Sequence, residues 1–227
     1  MKKQHESMLY KPAIDAYINK GPFKFGPLTS GKLRSDPQYV LFQMSRYKHA
    51  CKILYGKRTC IDIGPGDGVG LPLLAQHFDN VLALDVDDYL LSEAKQNCEI
   101  EHVNFLNHNF FLSPLSDLFE CAVCFDVLSS IPPENERHFI HNIAQSLTSD
   151  GCLVMGSQNK LATRFSNKEN LVDQPNFKTF DELYDFLKLE FQNVIILSMH
   201  DETVHTGKRE TAQYFIGIGI GVKTGSN

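Results

Sequence analysis

Residues 60–70 read "CIDIGPGDGVG": a short apolar run, Cys60 to Ile63, followed by glycine at 64, 66, 68 and 70. An apolar run that breaks into alternating glycines marks a buried strand ending in a turn whose backbone must approach something closely. The spacing excludes two common occupants. A dinucleotide fingerprint, GxGxxG, needs a third glycine where Val69 or Leu71 stands, and a phosphate loop needs a Lys-Ser/Thr pair that is absent. Helical patterning resumes over 69–78, so the segment is a strand, loop and helix.

Outward from that loop the pattern is regular. Strand-like runs at 80–85 ("NVLALD"), 103–107, 121–127, 152–157, 194–199 and 212–222 alternate with helical stretches at 88–97, 134–147 and 180–191. This alternation predicts a Rossmann-like, doubly wound α/β sheet of about seven strands, mostly parallel and covered by helices. The last two strands are joined by "HDETVHTGKRET" (200–211) without a helix, which makes the final strand antiparallel. Gly217, Gly219 and Gly221 share one of its faces, where a neighbour can pack closely. Upstream, 9–20 and 37–55 read as helices, the second with Val40, Met44, Tyr47 and Cys51 at helical spacing and Asp36-Pro37 as its start signal. Between them, 21–36 carries two Gly-Pro steps and reads as a loop long enough to be a lid. The expected organisation is an N-terminal helical cap and lid over 1–58, a cofactor-binding domain over 59–223 and a tail over 224–227.

Composition narrows the function. The 227 residues are 42% hydrophobic with a net charge of −5, and no run approaches eighteen apolar residues, so a membrane partner is not expected and a cytoplasmic location is. Residues 1–58 hold 12 Lys and Arg against 3 Asp and Glu, while the rest hold 10 against 24. The basic segment either docks on the acidic body or helps to bind an anionic substrate; without a dense basic cluster, nucleic acid is disfavoured. The six cysteines sit mostly in apolar segments, as buried thiols do. Cys121 and Cys124 form a CxxC with no second pair to complete a zinc site, and neither His200 with His205 nor His138 with His141 makes a full ligand set, so no metal is expected.

The pattern Asp62-x-Gly64-x-Gly66-x-Gly68 resembles the first motif of class I S-adenosylmethionine-dependent methyltransferases. The glycines let backbone lie against the cofactor, and Asp85, 21 residues after Gly64, ends the second strand where an acid can hold both ribose hydroxyls. The resemblance implies S-adenosyl-L-methionine as cofactor, S-adenosyl-L-homocysteine as product, and contacts from Asp62, Gly64, Pro65, Gly66, Gly68, Asp85, Val86, Asn109, Phe110 and Phe125. Asp62 would reach the cofactor's ammonium. Asn109 stands where the family usually has an aspartate near the adenine, keeping a carbonyl acceptor and losing the charge. Ser129 and Ser130 replace a Glu-His pair common after the fourth strand of small-molecule enzymes, so a histidine base at that position is lost. Segments 21–54 and 197–207 ("LSMHDETVHTG") resemble a bacterial subgroup associated with surface-polysaccharide biosynthesis.

These readings converge on methyl transfer to a small molecule, most simply a hydroxyl of a carbohydrate or other anionic metabolite, by a monomer or homodimer. Such a hydroxyl must lose a proton. The candidate bases are His205, with Glu202 placed to hold its ring, and Asp126. Phe25, Arg34, Arg46, Tyr47 and Glu202 are the expected substrate contacts, with Phe23 beside Phe25 as lid wedges and Lys32 as an anion contact. Methylation of protein or RNA, or a binding protein that kept the fold and lost turnover, are the alternatives. Ile131-Pro132-Pro133-Glu134 departs from the Asn/Asp-Pro-Pro-aromatic signature of base-amine methylation.

Overall fold

The computed structural model describes residues 9–162 and 176–223; the tail over 224–227 lies outside them. One eight-stranded sheet runs in the order β3-β2-β1-β4-β5-β8-β6-β7. The strands are β1 (Thr59–Ile63), β2 (Asn80–Asp85), β3 (Val103–Asn107), β4 (Phe119–Phe125), β5 (Leu147–Gln158), β6 (Phe191–His200), β7 (Thr203–His205) and β8 (Tyr214–Val222). β1 pairs parallel to both β2 and β4, and β4 to β5, whereas β8 runs antiparallel between β5 and β6. The chain therefore reverses its winding between β1 and β4. That switch point is where open α/β sheets hold ligands, outside the strands' carboxyl ends.

Each central strand is buried on both faces because its side chains alternate between two cores. In β4, Cys121, Val123 and Phe125 join one cluster, and Ala122 and Cys124 the other. The first core is closed by α3 (Pro37–Ile53), α4 (Leu71–Ala75) and α5 (Asp88–Asn97), through residues such as Tyr47, Leu71 and Ala94. The second is closed by α6 (Glu136–Gln145) and α7 (Phe180–Lys188), through Ile140, Ile143, Leu183 and Leu187. All six cysteines are free and buried.

Three local expectations change. Segment 21–36 is not all loop: α2 (Pro27–Ser35) occupies its second half. Pro27 suits a first helical position, where its missing N–H costs nothing, and Asp67, far along the chain, meets Thr29 in the first turn. The helix preceding it, α1 (Lys11–Lys20), exposes residues 11–19 to solvent. α3 starts at Pro37 as read, yet the Asp36 side chain makes no capping bond. The stretch 200–211 is not featureless either. It turns at Asp201 and Glu202 into β7, adding an eighth strand.

The glycine face of β8 is used as expected. A Cβ on Gly217 would sit 2.5 Å from Leu187 of α7, and one on Gly219 2.5 Å from the Phe191 ring. Gly217→Val should therefore destabilise the protein by about 1–3 kcal/mol through overpacking. Gly207→Ala, with nothing within 4 Å of its Cβ position, should be nearly silent; urea unfolding of both variants checks the contrast.

Candidate active site

The glycine loop leaves β1 at the switch point. Gly64, Gly66 and Gly68 all adopt positive φ, and a Cβ on Gly64 would lie 2.3 Å from Val127 beyond β4. An L side chain there would meet both backbone strain and a collision, so the loop stays bare. The Tyr47 ring from α3 lies flat against Gly70 and so brings its hydroxyl to Asp62.

Asp62 on β1 is fully buried. Tyr47 donates to its Oδ1 at 3.3 Å, while Oδ2 has no partner among the described residues. Burial pushes the carboxyl up to about 8; the Tyr47 hydrogen bond works against that rise and the charge of Asp85 adds to it. An unpartnered, desolvated carboxylate oxygen beside a bare backbone loop suits a cationic group that brings its own donors. Asp85 ends β2 with Oδ1 accepting from the Asp87 N–H at 3.0 Å, and Val86 beside it is 62% exposed. The Asn109 carbonyl already accepts from the Phe111 N–H at 2.8 Å, closing a local turn. Phe110 and Phe125, expected at the cofactor, turn their rings into the two cores.

Asp126 follows β4 at φ 65°, a conformation that costs a non-glycine residue energy and that persists only where its surroundings enforce it. Arg46 Nη1 lies 2.7 Å from its Oδ2, an ion pair off the N–H axis. Tyr214 donates to Oδ1 at 2.9 Å and Tyr39 to Oδ2 at 3.4 Å. Burial pushes the Tyr214 phenol well above its usual range, so it remains a donor. The Arg46 guanidinium is 1% exposed and stacks within 4.8 Å of the ring centres of Phe42 and Tyr214. Arg46 and Tyr47, expected to face substrate, thus face the interior and hold Asp126 and Asp62. Asp126, 29% exposed, is a carboxylate fixed by one ion pair and two phenol donors rather than a free one.

His205 is held by His200, not by Glu202. His200 Nε2 is 2.8 Å from the Thr211 carbonyl, which can only accept, so that nitrogen carries the hydrogen and Nδ1 accepts. His205 Nε2 then donates to His200 Nδ1 at 2.7 Å, and its Nδ1 accepts the Gly207 N–H at 3.2 Å. Every ring nitrogen is engaged, leaving no lone pair for an acceptor's proton. The Glu202 carbonyl instead contacts His49 of α3 at 3.3 Å.

Between the start of α3 and the ends of β5, β6 and β8 lies a cleft of about 530 Å³. Tyr39 and Tyr214, both bonded to Asp126, form part of its wall, with Gln158 and Gln213. Asp36, Asp201 and Glu202 also line it, and among the described residues no lysine or arginine does. Lys32 instead lies over the Tyr39 ring at 4.5 Å. Phe25 packs edge-on against Phe23, and both, like Arg34, are exposed. Tyr39, Tyr214, Gln158 and Gln213 had no signal in the sequence, because they meet only in the folded chain.

Residues 61–155 match the family described as a methyltransferase domain. Those residues, under half of the chain, are similar to a methyltransferase domain. Enzymes of this family take their methyl group from S-adenosylmethionine. Solved structures with the same fold include the N-methyltransferase NodS from Bradyrhizobium japonicum in complex with S-adenosyl-L-homocysteine, 16% identical, TM-score 0.61, covering 79% of this chain and 87% of that one. The methyltransferase domain of a bacterial Hen1 is 15% identical, TM-score 0.66, covering 79% and 99%. A TehB-like SAM-dependent methyltransferase from Corynebacterium glutamicum is 14% identical, TM-score 0.59, covering 94% and 96%. No curated protein matches the chain.

The raised carboxyl of Asp62 has a stability consequence. Its folded pKa, about 8, lies above the ordinary carboxylate value of 3.8, so folding favours the protonated form. That contribution is complete below about pH 4 and is lost as pH rises towards 8. Asp62→Asn removes the dependence, so wild type should lose on the order of several kcal/mol relative to the variant between pH 4 and 8; urea unfolding at a series of pH values reads it, and a constant difference contradicts it.

Proposed function

We propose that the chain transfers a methyl group from S-adenosylmethionine to a hydroxyl of a small, carbohydrate-like acceptor seated in the 530 Å³ cleft. The observation that carries the cofactor half is the buried, unpartnered Asp62 Oδ2 under the positive-φ loop. Asp62 would hold the ammonium, the bare backbone at Gly64, Pro65, Gly66 and Gly68 the amino-acid portion, and Asp85 the ribose hydroxyls. Val86 and Asn109 would border the adenine. When bound, the cofactor supplies a methyl group already activated by a sulfonium.

The chain's own task is alignment and exclusion of water. Asp126, fixed by Arg46 and Tyr214, projects beside the cleft and is placed to accept the acceptor hydroxyl's hydrogen bond, with Tyr39 next to it. His205 serves the cleft indirectly, by fixing the β6–β7 turn that carries Asp201 and Glu202. Basic side chains of the lid do not line the cleft, and three carboxylates do, which favours an uncharged polyol over an anionic acceptor. The same carboxylates favour, as a second reading, an acceptor that bears an amine. The likeness of segments 21–54 and 197–207 to enzymes associated with surface polysaccharides supports a sugar of that kind, handled in the cytoplasm by a monomer or homodimer. Among the described residues no helix is long and apolar enough to cross a membrane.

Two measurements test the reading. Calorimetry should show S-adenosylhomocysteine binding that tightens as pH rises towards 8, because Asp62 must ionise to pair with an ammonium, and that weakens at least tenfold in Asp62→Asn. No binding by wild type would refute it. With the cofactor, release of S-adenosylhomocysteine should be seen with neutral or aminated sugars and not with their phosphates; preference for the phosphates would overturn the acceptor assignment.

A further inference from the structure

α2 has no capping side chain of its own. Gly26 precedes it, and the first-turn donor of Thr29 is satisfied from the glycine loop instead. Asp67 Oδ2 accepts the Thr29 backbone N–H at 2.7 Å, and Asp67 Oδ1 accepts the Thr29 hydroxyl, also at 2.7 Å. Both residues are nearly inaccessible to solvent. An aspartate placed so meets an orphan N–H and also suits the positive end of the helix.

The approach is close on either side of that cap. A Cβ on Gly26 would lie 2.4 Å from the Asp67 Cβ, and one on Gly66 would lie 3.3 Å from the Leu28 side chain. Behind the loop, Asn97 of α5 donates to the Asp67 carbonyl at 3.5 Å. α2 therefore rests on the part of the loop, Gly66 to Asp67, that adjoins the cofactor's expected place. Its other end leads through Asp36 into α3, where Asp36 and Tyr39 line the cleft, and its Lys32 lies over the Tyr39 ring. Thr29 is the only residue α2 buries, so the helix is held by few contacts and its docking can be shifted by modest changes in the loop.

We infer that Asp67 is a positioning residue that ties α2 to the cofactor loop, so that cofactor binding and the docking of α2 reinforce one another. The inference rests on the cofactor assignment above. A ligand that fixes the loop fixes the carboxylate on which α2 is capped, and by reciprocity a docked α2 raises affinity for that ligand.

Hydrogen exchange over residues 26–36, with and without S-adenosylhomocysteine, tests this alongside calorimetry of the same ligand. In wild type the ligand should slow exchange in α2 at least tenfold. Asp67→Asn should cut that slowing below twofold and weaken ligand affinity about tenfold. Thr29→Val, which keeps the backbone bond and loses the hydroxyl, should fall between, and Thr29→Ser should behave as wild type. A merely structural cap would speed exchange equally in free and bound protein and leave affinity unchanged; that result would overturn the inference. If Asp67→Asn does not fold, the Val and Ser variants at Thr29 decide it. Ligand binding that is equal in all variants refutes only this coupling, whereas no binding by wild type refutes the cofactor assignment and the coupling with it.

Discussion

One helix holds two carboxylates. α3 crosses the carboxyl ends of β1 and β4, the strands that flank the switch point, and from it Tyr47 reaches Asp62 while Arg46 and Tyr39 reach Asp126. Each carboxylate is in a place where water does not solvate it well, so each depends on what α3 supplies. A buried ion pair such as Arg46 with Asp126 does not by itself guarantee stability, since desolvation offsets much of the attraction. Removing one partner is a different matter: it strands a charge and costs about 3–5 kcal/mol. The pair therefore fixes the register of α3 on the sheet more than it strengthens the fold.

That register decides the rest of the site. With α3 in place, Tyr47 leaves Asp62 with one satisfied and one open oxygen, facing the bare glycine loop. Phe42, Tyr39 and Tyr214 follow from the same placement, forming the cleft wall around a buried guanidinium. The proposed cofactor place and the proposed acceptor cleft are two sides of one packed unit, divided by Asp126 at its strained backbone angle.

Much of this was legible in the sequence, and for a physical reason. The alternation of buried strands and amphipathic helices is a local pattern, and the glycines and acid of residues 60–70 make their turn wherever they stand. Asp85 was singled out by its spacing as the end of β2, and the close face at Gly217 was legible from its period of two. The features that were not legible all depend on partners far along the chain. α2 is capped by a residue 38 positions away, so its Gly-Pro start reads as a loop. Arg46 sits beside the apolar stripe of α3, and nothing near it announces that Asp126 will neutralise it in the core. His205 looks like a free imidazole until the β6–β7 hairpin makes it a diagonal neighbour of His200, and basic residues near a site do not tell whether they line it.

The central claim is that the open oxygen of Asp62 awaits a cation presented over the glycine loop. A crystal structure of the protein with S-adenosylhomocysteine measures this directly. The ammonium should lie within hydrogen-bonding distance of Asp62 Oδ2, bound directly or through one water, with Tyr47 still on Oδ1. A ligand seated away from residues 62–68, or one that leaves Asp62 Oδ2 without a partner, would contradict the account.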